Sequence, residues 1–174
     1  GVTFFKGSPT AQVNLTQRLQ AKSKVPLMIA LDAETGPAMR LDSVIALPDM
    51  MLIGATGNPR HAFEAGRISG EQCGRLGIHL NFAPVADVNT NPSNPVIGQR
   101  AFGEEPAQVA AMAGQYLEGL HKAGVLDCLK HFPGHGDSES DSHYTLPIIK
   151  LSSERIQNEH ILPFYKNIEK ADAI

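Results

Sequence analysis

Val125-Leu126-Asp127-Cys128-Leu129-Lys130-His131-Phe132-Pro133-Gly134-His135-Gly136-Asp137 is an apolar, strand-like run that passes directly into a glycine-punctuated loop dense in titratable side chains. Lys130 and His131 therefore fall at the C-terminal end of a buried strand, the edge on which α/β folds place their chemistry. The loop continues into Asp141-Ser142-His143-Tyr144-Thr145-Leu146-Pro147. Two other strand-like runs end the same way. Pro26-Leu27-Met28-Ile29-Ala30-Leu31 stops at Asp32, and His79-Leu80-Asn81-Phe82-Ala83-Pro84-Val85-Ala86 stops at Asp87.

Between these runs the apolar period changes to that of helices, and the alternation predicts parallel βαβ units covered on both faces. A first strand, Val2-Thr3-Phe4-Phe5, leads to Ser8 as an N-cap and Pro9 at the first helical position, with Ala11, Leu15 and Leu19 on one face. A second helix is expected from about Pro59 to Leu76, where Gly66, Gly70 and Gly74 form a smooth ridge for close packing, each costing about 1 kcal/mol relative to alanine. The clearest helix runs from about Glu105 to Ala123. Its stripe is Val109, Met112, Ala113, Tyr116, Leu117 and Leu120, and Gly124 closes it. A last helix covers about Ser153 to Lys170 with a bend at Pro163, and Ala171-Asp172-Ala173-Ile174 reads as the start of a fifth strand. Residues 1–174 form one α/β domain on this reading.

Composition narrows the partners. The 174 residues are 42% hydrophobic and carry a formal net charge of -3, so there is no basic footprint for nucleic acid and no cationic run for an anionic membrane. No apolar run is long enough for a membrane-spanning segment. Cys73 and Cys128 stand far apart in buried patterns and read as two free thiols. The compartment stays open between cytoplasmic and exported (periplasmic).

Asp32, Arg40, Asp87, Arg100, Lys130, His131, Asp141 and His143 all lie at or just after strand ends. Carboxylates accept hydroxyl hydrogen bonds while Lys and Arg donate them, so the set suits an uncharged, polyhydroxylated ligand such as a sugar. Asp141 and His143 are two apart, and a carboxylate on one imidazole nitrogen leaves the other free to move a proton. The bland alternative is that His143 and His135 tie the loop to backbone carbonyls. A zinc site on His131, His135, His143 and Asp141 is the other alternative, but Phe132-Pro133-Gly134 forbids the helix that would point His131 and His135 one way. His61, His121 and His160 fall on helical stretches as surface or helix-packing residues.

These residues resemble glycoside hydrolase family 3, in its β-N-acetylglucosaminidase (β-hexosaminidase) branch. The resemblance rests on Asp32, Arg40-Leu41, Asn81-Phe82-Ala83-Pro84-Val85-Ala86-Asp87-Val88, Arg100-x-Phe102-Gly103 and Lys130-His131-Phe132-Pro133-Gly134-His135-Gly136 with Asp141-x-His143. It implies the N-terminal part of a (β/α)8 TIM barrel, with about five βα units and open sheet edges. It further implies retaining release of terminal β-linked N-acetylglucosamine from glycans or cell-wall fragments, with no cofactor and no metal.

His143 is then the acid/base and Asp141 its orienting partner, while Asp32, Arg40, Arg100, Lys130 and His131 bind the sugar. The nucleophile is an aspartate on a later strand, expected with the remainder of the barrel in the parent protein; Asp172 is not it. The alternatives are a noncatalytic sugar-binding remnant or a β-glucosidase of the same family, with phosphorolysis as a side reaction. Ala33-Glu34-Thr35-Gly36-Pro37-Ala38-Met39 departs from the Glu-Gly-Gly type of loop common in the branch.

Overall fold

The computed structural model describes residues 1–141, 144 and 146–174. Among these residues four short strands, β1 (Val2–Phe4), β2 (Ile29–Leu31), β3 (Leu80–Asn81) and β4 (Leu126–Asp127), lie side by side in chain order and all parallel. Helix α1 (Pro9–Lys22) crosses from β1 to β2, α2 (Met50–Ala55) and α3 (Pro59–Arg75) from β2 to β3, and α4 (Pro106–Lys122) from β3 to β4. Parallel strands in this order open their C-terminal ends to one side, so the loops after β2, β3 and β4 meet there.

The predicted helices form where caps and spacing place them. The Ser8 side chain accepts from the Ala11 amide with Pro9 in the first turn, and Asn58 caps α3 in the same manner, ahead of Pro59. Every residue of the α4 stripe is buried, from Val109 to Leu120. Two of the ridge glycines are needed for contact. A Cβ at Gly66 would stand 2.2 Å from the Tyr116 carbonyl oxygen and one at Gly70 2.6 Å from the Ala123 Cβ, whereas Gly74 has nothing within 4 Å.

Several expectations are corrected. Helix α1 turns Gln12 and Thr16 inward and leaves Leu15 41% exposed, so only Leu19 of the expected face packs on the core. The long third strand is two short pairings, Leu80–Asn81 in the ladder and Val85 against Lys130, because Pro84 has no N–H to give. Residues 171–174 form no strand, although the Leu129 amide donates to the Ala173 carbonyl beside β4. The last helix is α5 (Ser153–Arg155), a π-helical stretch Ile156–Ile161, and α6 (Leu162–Asn167). The wide turns precede Pro163, whose ring cannot complete an ordinary helical hydrogen bond. Cys73 is buried, its thiol pushed up to about 12 by burial, and Cys128 is half-buried. Among the described residues no helix is long and apolar enough to cross a membrane.

Candidate active site

Asp32 follows the fully buried triplet Ile29-Ala30-Leu31, so β2 delivers it to the open edge with little freedom. Its carboxylate accepts from Lys130 Nζ at 2.6 Å and from Arg40 Nη2, and Arg40 Nε donates to the Asp32 carbonyl at 3.0 Å. The turn beyond is pinned from below. Asn81 on β3 receives the Ala33 amide and donates to the Ala33 carbonyl, both at 3.0 Å, and the Tyr116 hydroxyl donates to the Glu34 carbonyl at 2.9 Å. This holds Glu34 under the cleft at 2% exposure.

Arg100 grips Glu34 through both carboxylate oxygens, Nη2 to Oε1 at 2.7 Å and Nε to Oε2 at 2.9 Å, and Lys130 Nζ lies 2.8 Å from Oε1. Burial pushes the Glu34 carboxyl up, but the Arg100 hydrogen bonds and the Lys130 and Arg100 charges outweigh it and hold it at about 2. Glu34 is thus a carboxylate that anchors two cations.

Asp87 does the same for the loop after β4. Fully buried, it accepts from His131 Nδ1 at 2.6 Å and from the His135 amide at 2.6 Å, and Arg100 Nη2 donates to His131 Nε2 at 3.2 Å. These contacts select the His131 tautomer with its proton on Nδ1 and occupy both ring nitrogens. Asn94 ties the two loops together: its side-chain amide donates to the His135 carbonyl at 2.8 Å while its oxygen accepts from the Val96 and Ile97 amides. Gly136 allows the same approach, since a Cβ there would lie 1.7 Å from the Val88 carbonyl oxygen.

Asp32, Arg40, Arg100, Lys130 and His131 line one cleft of about 570 Å³, together with Met39, Val96 and His135. The five residues expected to hold a sugar are thereby brought together. The lining carries one carboxylate (Asp32) and three cations (Arg40, Arg100, Lys130), with Glu34 and Asp87 buried behind them, so the cleft offers both acceptors and donors, which suits a polyhydroxylated ligand. Of the expected proton-transfer pair, Asp141 is half-buried and its carbonyl accepts from the Tyr144 amide at 3.1 Å, whereas His143 lies outside the described residues.

In the sequence Glu34 stands out only as part of a divergent loop, although its two-residue offset from Asp32 at a strand end is a signal. Asn94 and Gly136 gave no sign of their contacts.

A family model described as the Glycosyl hydrolase family 3 N terminal domain matches residues 6–174. The chain belongs to this family. Beta-hexosaminidase A of Pseudoalteromonas piscicida is 40% identical over 171 residues, 92% of this chain and 29% of that relative. A family 3 β-N-acetylglucosaminidase structure from Paenibacillus sp. superposes at a TM-score of 0.89 with 38% identity over 98% of this chain and 34% of that one. The structure described as beta-glucoside phosphorylase BglX bound to 2FGlc gives 0.94 with 28% identity, over 98% and 31% of the respective chains. The chain thus spans about a third of each. As a family 3 N-terminal domain it has the (β/α)8 fold class, and the described residues form an open sheet of four strands without a closed barrel.

One further cluster lies away from the cleft. His121, expected to be a surface or helix-packing residue, brings Nε2 to 2.5 Å from Asp127 and 3.1 Å from Asp172, and the two aspartates exchange backbone-to-carboxylate hydrogen bonds. Their donor atoms lie within 4.8 Å of one another, close enough to surround a cation. The mutual hydrogen bonds account for them as a tie between β4 and the segment after α6.

Proposed function

We propose that the whole protein is a retaining β-N-acetylglucosaminidase and that residues 1–174 supply its sugar-binding cleft and proton-transfer loop. The supporting observation is the convergence of Asp32, Arg40, Arg100, Lys130 and His131 on one cleft, in a chain whose family 3 relatives include proteins called beta-hexosaminidase. Asp32 accepts sugar hydroxyl hydrogen bonds; Lys130, Arg40 and Arg100 donate them. Both nitrogens of His131 are engaged in positioning, so proton transfer is assigned to His143, oriented by Asp141. His143 protonates the leaving oxygen and then activates water against a glycosyl-enzyme intermediate on an aspartate beyond residue 174.

Cell-wall fragments carrying N-acetylglucosamine fit this reading, as in peptidoglycan recycling. The likeness to a β-glucoside phosphorylase keeps a second reading, glucoside specificity with phosphate as acceptor. Incubating the whole protein with nitrophenyl β-N-acetylglucosaminide and β-glucoside, with and without phosphate, separates them. Faster turnover of the N-acetylglucosaminide, with the β-anomer formed first by NMR, is expected. Preference for the glucoside, or first formation of the α-anomer, overturns the proposal.

A further inference from the structure

His160 lies in the π-helical stretch and is 1% exposed, yet neither of its ring nitrogens has a hydrogen-bond partner among the described residues. Leaving a buried polar group unpaired is unfavourable, and an aliphatic side chain in its place avoids that cost. Its position shows what it touches. Gly134, at the turn of the 131–138 loop with φ +125°, sits so close that a Cβ there would be 2.7 Å from the His160 Cβ. Phe132 of the same loop meets Phe164 edge-on at 5.5 Å. A cavity of about 380 Å³ under the loop is lined by His160, His135, Phe132 and Pro133 among others, and His135 Nε2 is also buried without a partner among the described residues.

We propose that His160 is a positioning residue for the 131–138 loop, holding it against the protein only while its imidazole is uncharged. The inference rests on the reading of that loop as part of the active site. Burial pushes the His160 ring below its ordinary range, and the carboxylates that face it do not reverse the effect. Each is already committed elsewhere: Asp87 to His131 and the His135 amide, Asp137 to the Thr90 hydroxyl, and Glu159 to Arg155, whose guanidinium opposes a second cation. His135 contributes a further imidazole to the same cavity.

The sign follows from proton linkage. With His160 depressed in the docked state, the undocked loop binds more protons below about pH 6.5, so docking is complete above that pH and weakens by up to tenfold per pH unit below it. It levels off only once the docked imidazole is itself protonated.

Hydrogen–deuterium exchange of the peptide covering residues 131–138 in the whole protein, from pH 7.5 to 5.0 and corrected for intrinsic exchange, tests this. Wild-type protection is expected to fall below pH 6.5. His160→Leu and His160→Gln, which carry no titrating ring, should keep it constant; if the leucine variant fails to fold, the glutamine variant decides. A wild-type profile independent of pH, or an equal fall in the variants, overturns the proposal. Parallel assays of the N-acetylglucosaminide separate the two ideas. Expected exchange with no turnover at any pH sinks the proposed function and leaves His160 as assigned.

Discussion

Replacing Glu34 by glutamine keeps the shape of the side chain but removes the charge that Arg100 and Lys130 share. The Glu34 carboxyl is 2% exposed and held at about 2 against an ordinary 4.5, which corresponds to about 3 kcal/mol of stability at neutral pH. Removing one member of a buried ion pair costs about 3–5 kcal/mol by analogy, and the 30% exposure of Arg100 places this site at the lower end. Because the folded-state value is depressed, the contribution is complete above pH 4.5 and is lost as pH falls from there toward 2. Urea unfolding of wild type and Glu34→Gln at pH 7 should therefore differ by about 3 kcal/mol, and the difference should shrink on acidification from pH 4.5 to 3. A loss below about 1 kcal/mol, or one unchanged across that range, refutes the assignment of Glu34 as the anchor of both cations.

Asp127 behaves in the opposite sense: burial raises its carboxyl to about 6, so the stability tied to its protonated form is present below the ordinary value of 3.8 and is lost as pH rises through 6. Asp127→Asn should accordingly raise the melting temperature at pH 8, by an amount equivalent to about 1–3 kcal/mol, and change it little at pH 4. Gly136→Ala forces a Cβ into the Val88 carbonyl, and calorimetry should show a loss of about 1–3 kcal/mol together with a fall in kcat/KM as the loop moves off Asp87.

What the sequence discloses is what local physics dictates. The Ser8 and Asn58 caps, the buried stripe of α4 and the strand-end positions of Asp32, Asp87 and Lys130 depend on neighbours a few residues away, and they are legible for that reason. Contacts between remote segments are not. Glu34 meets Arg100 across 66 positions and Asn94 reaches His135 across 41, and neither residue carries a local mark of its partner. Periodicity also misassigned the inner face of α1, where Gln12 and Thr16 are buried in place of Leu15. The five cleft residues were found together because the parallel topology gathers strand ends, whereas the buried His160 gave no signal beyond its helical setting.

The central claim is that the loop after β4 supplies the proton that releases the sugar, and the leaving group tests it most directly. Kinetics of wild type and His143→Ala should be measured in the whole protein on a natural N-acetylglucosamine disaccharide and on the nitrophenyl glycoside, whose phenolate departs with little protonation. General acid catalysis contributes about 10²–10⁴-fold, so the variant is predicted to lose that much on the disaccharide and far less in the glycosylation step of the nitrophenyl substrate. An equal loss on both substrates contradicts the account and leaves His143 as a structural histidine of the loop.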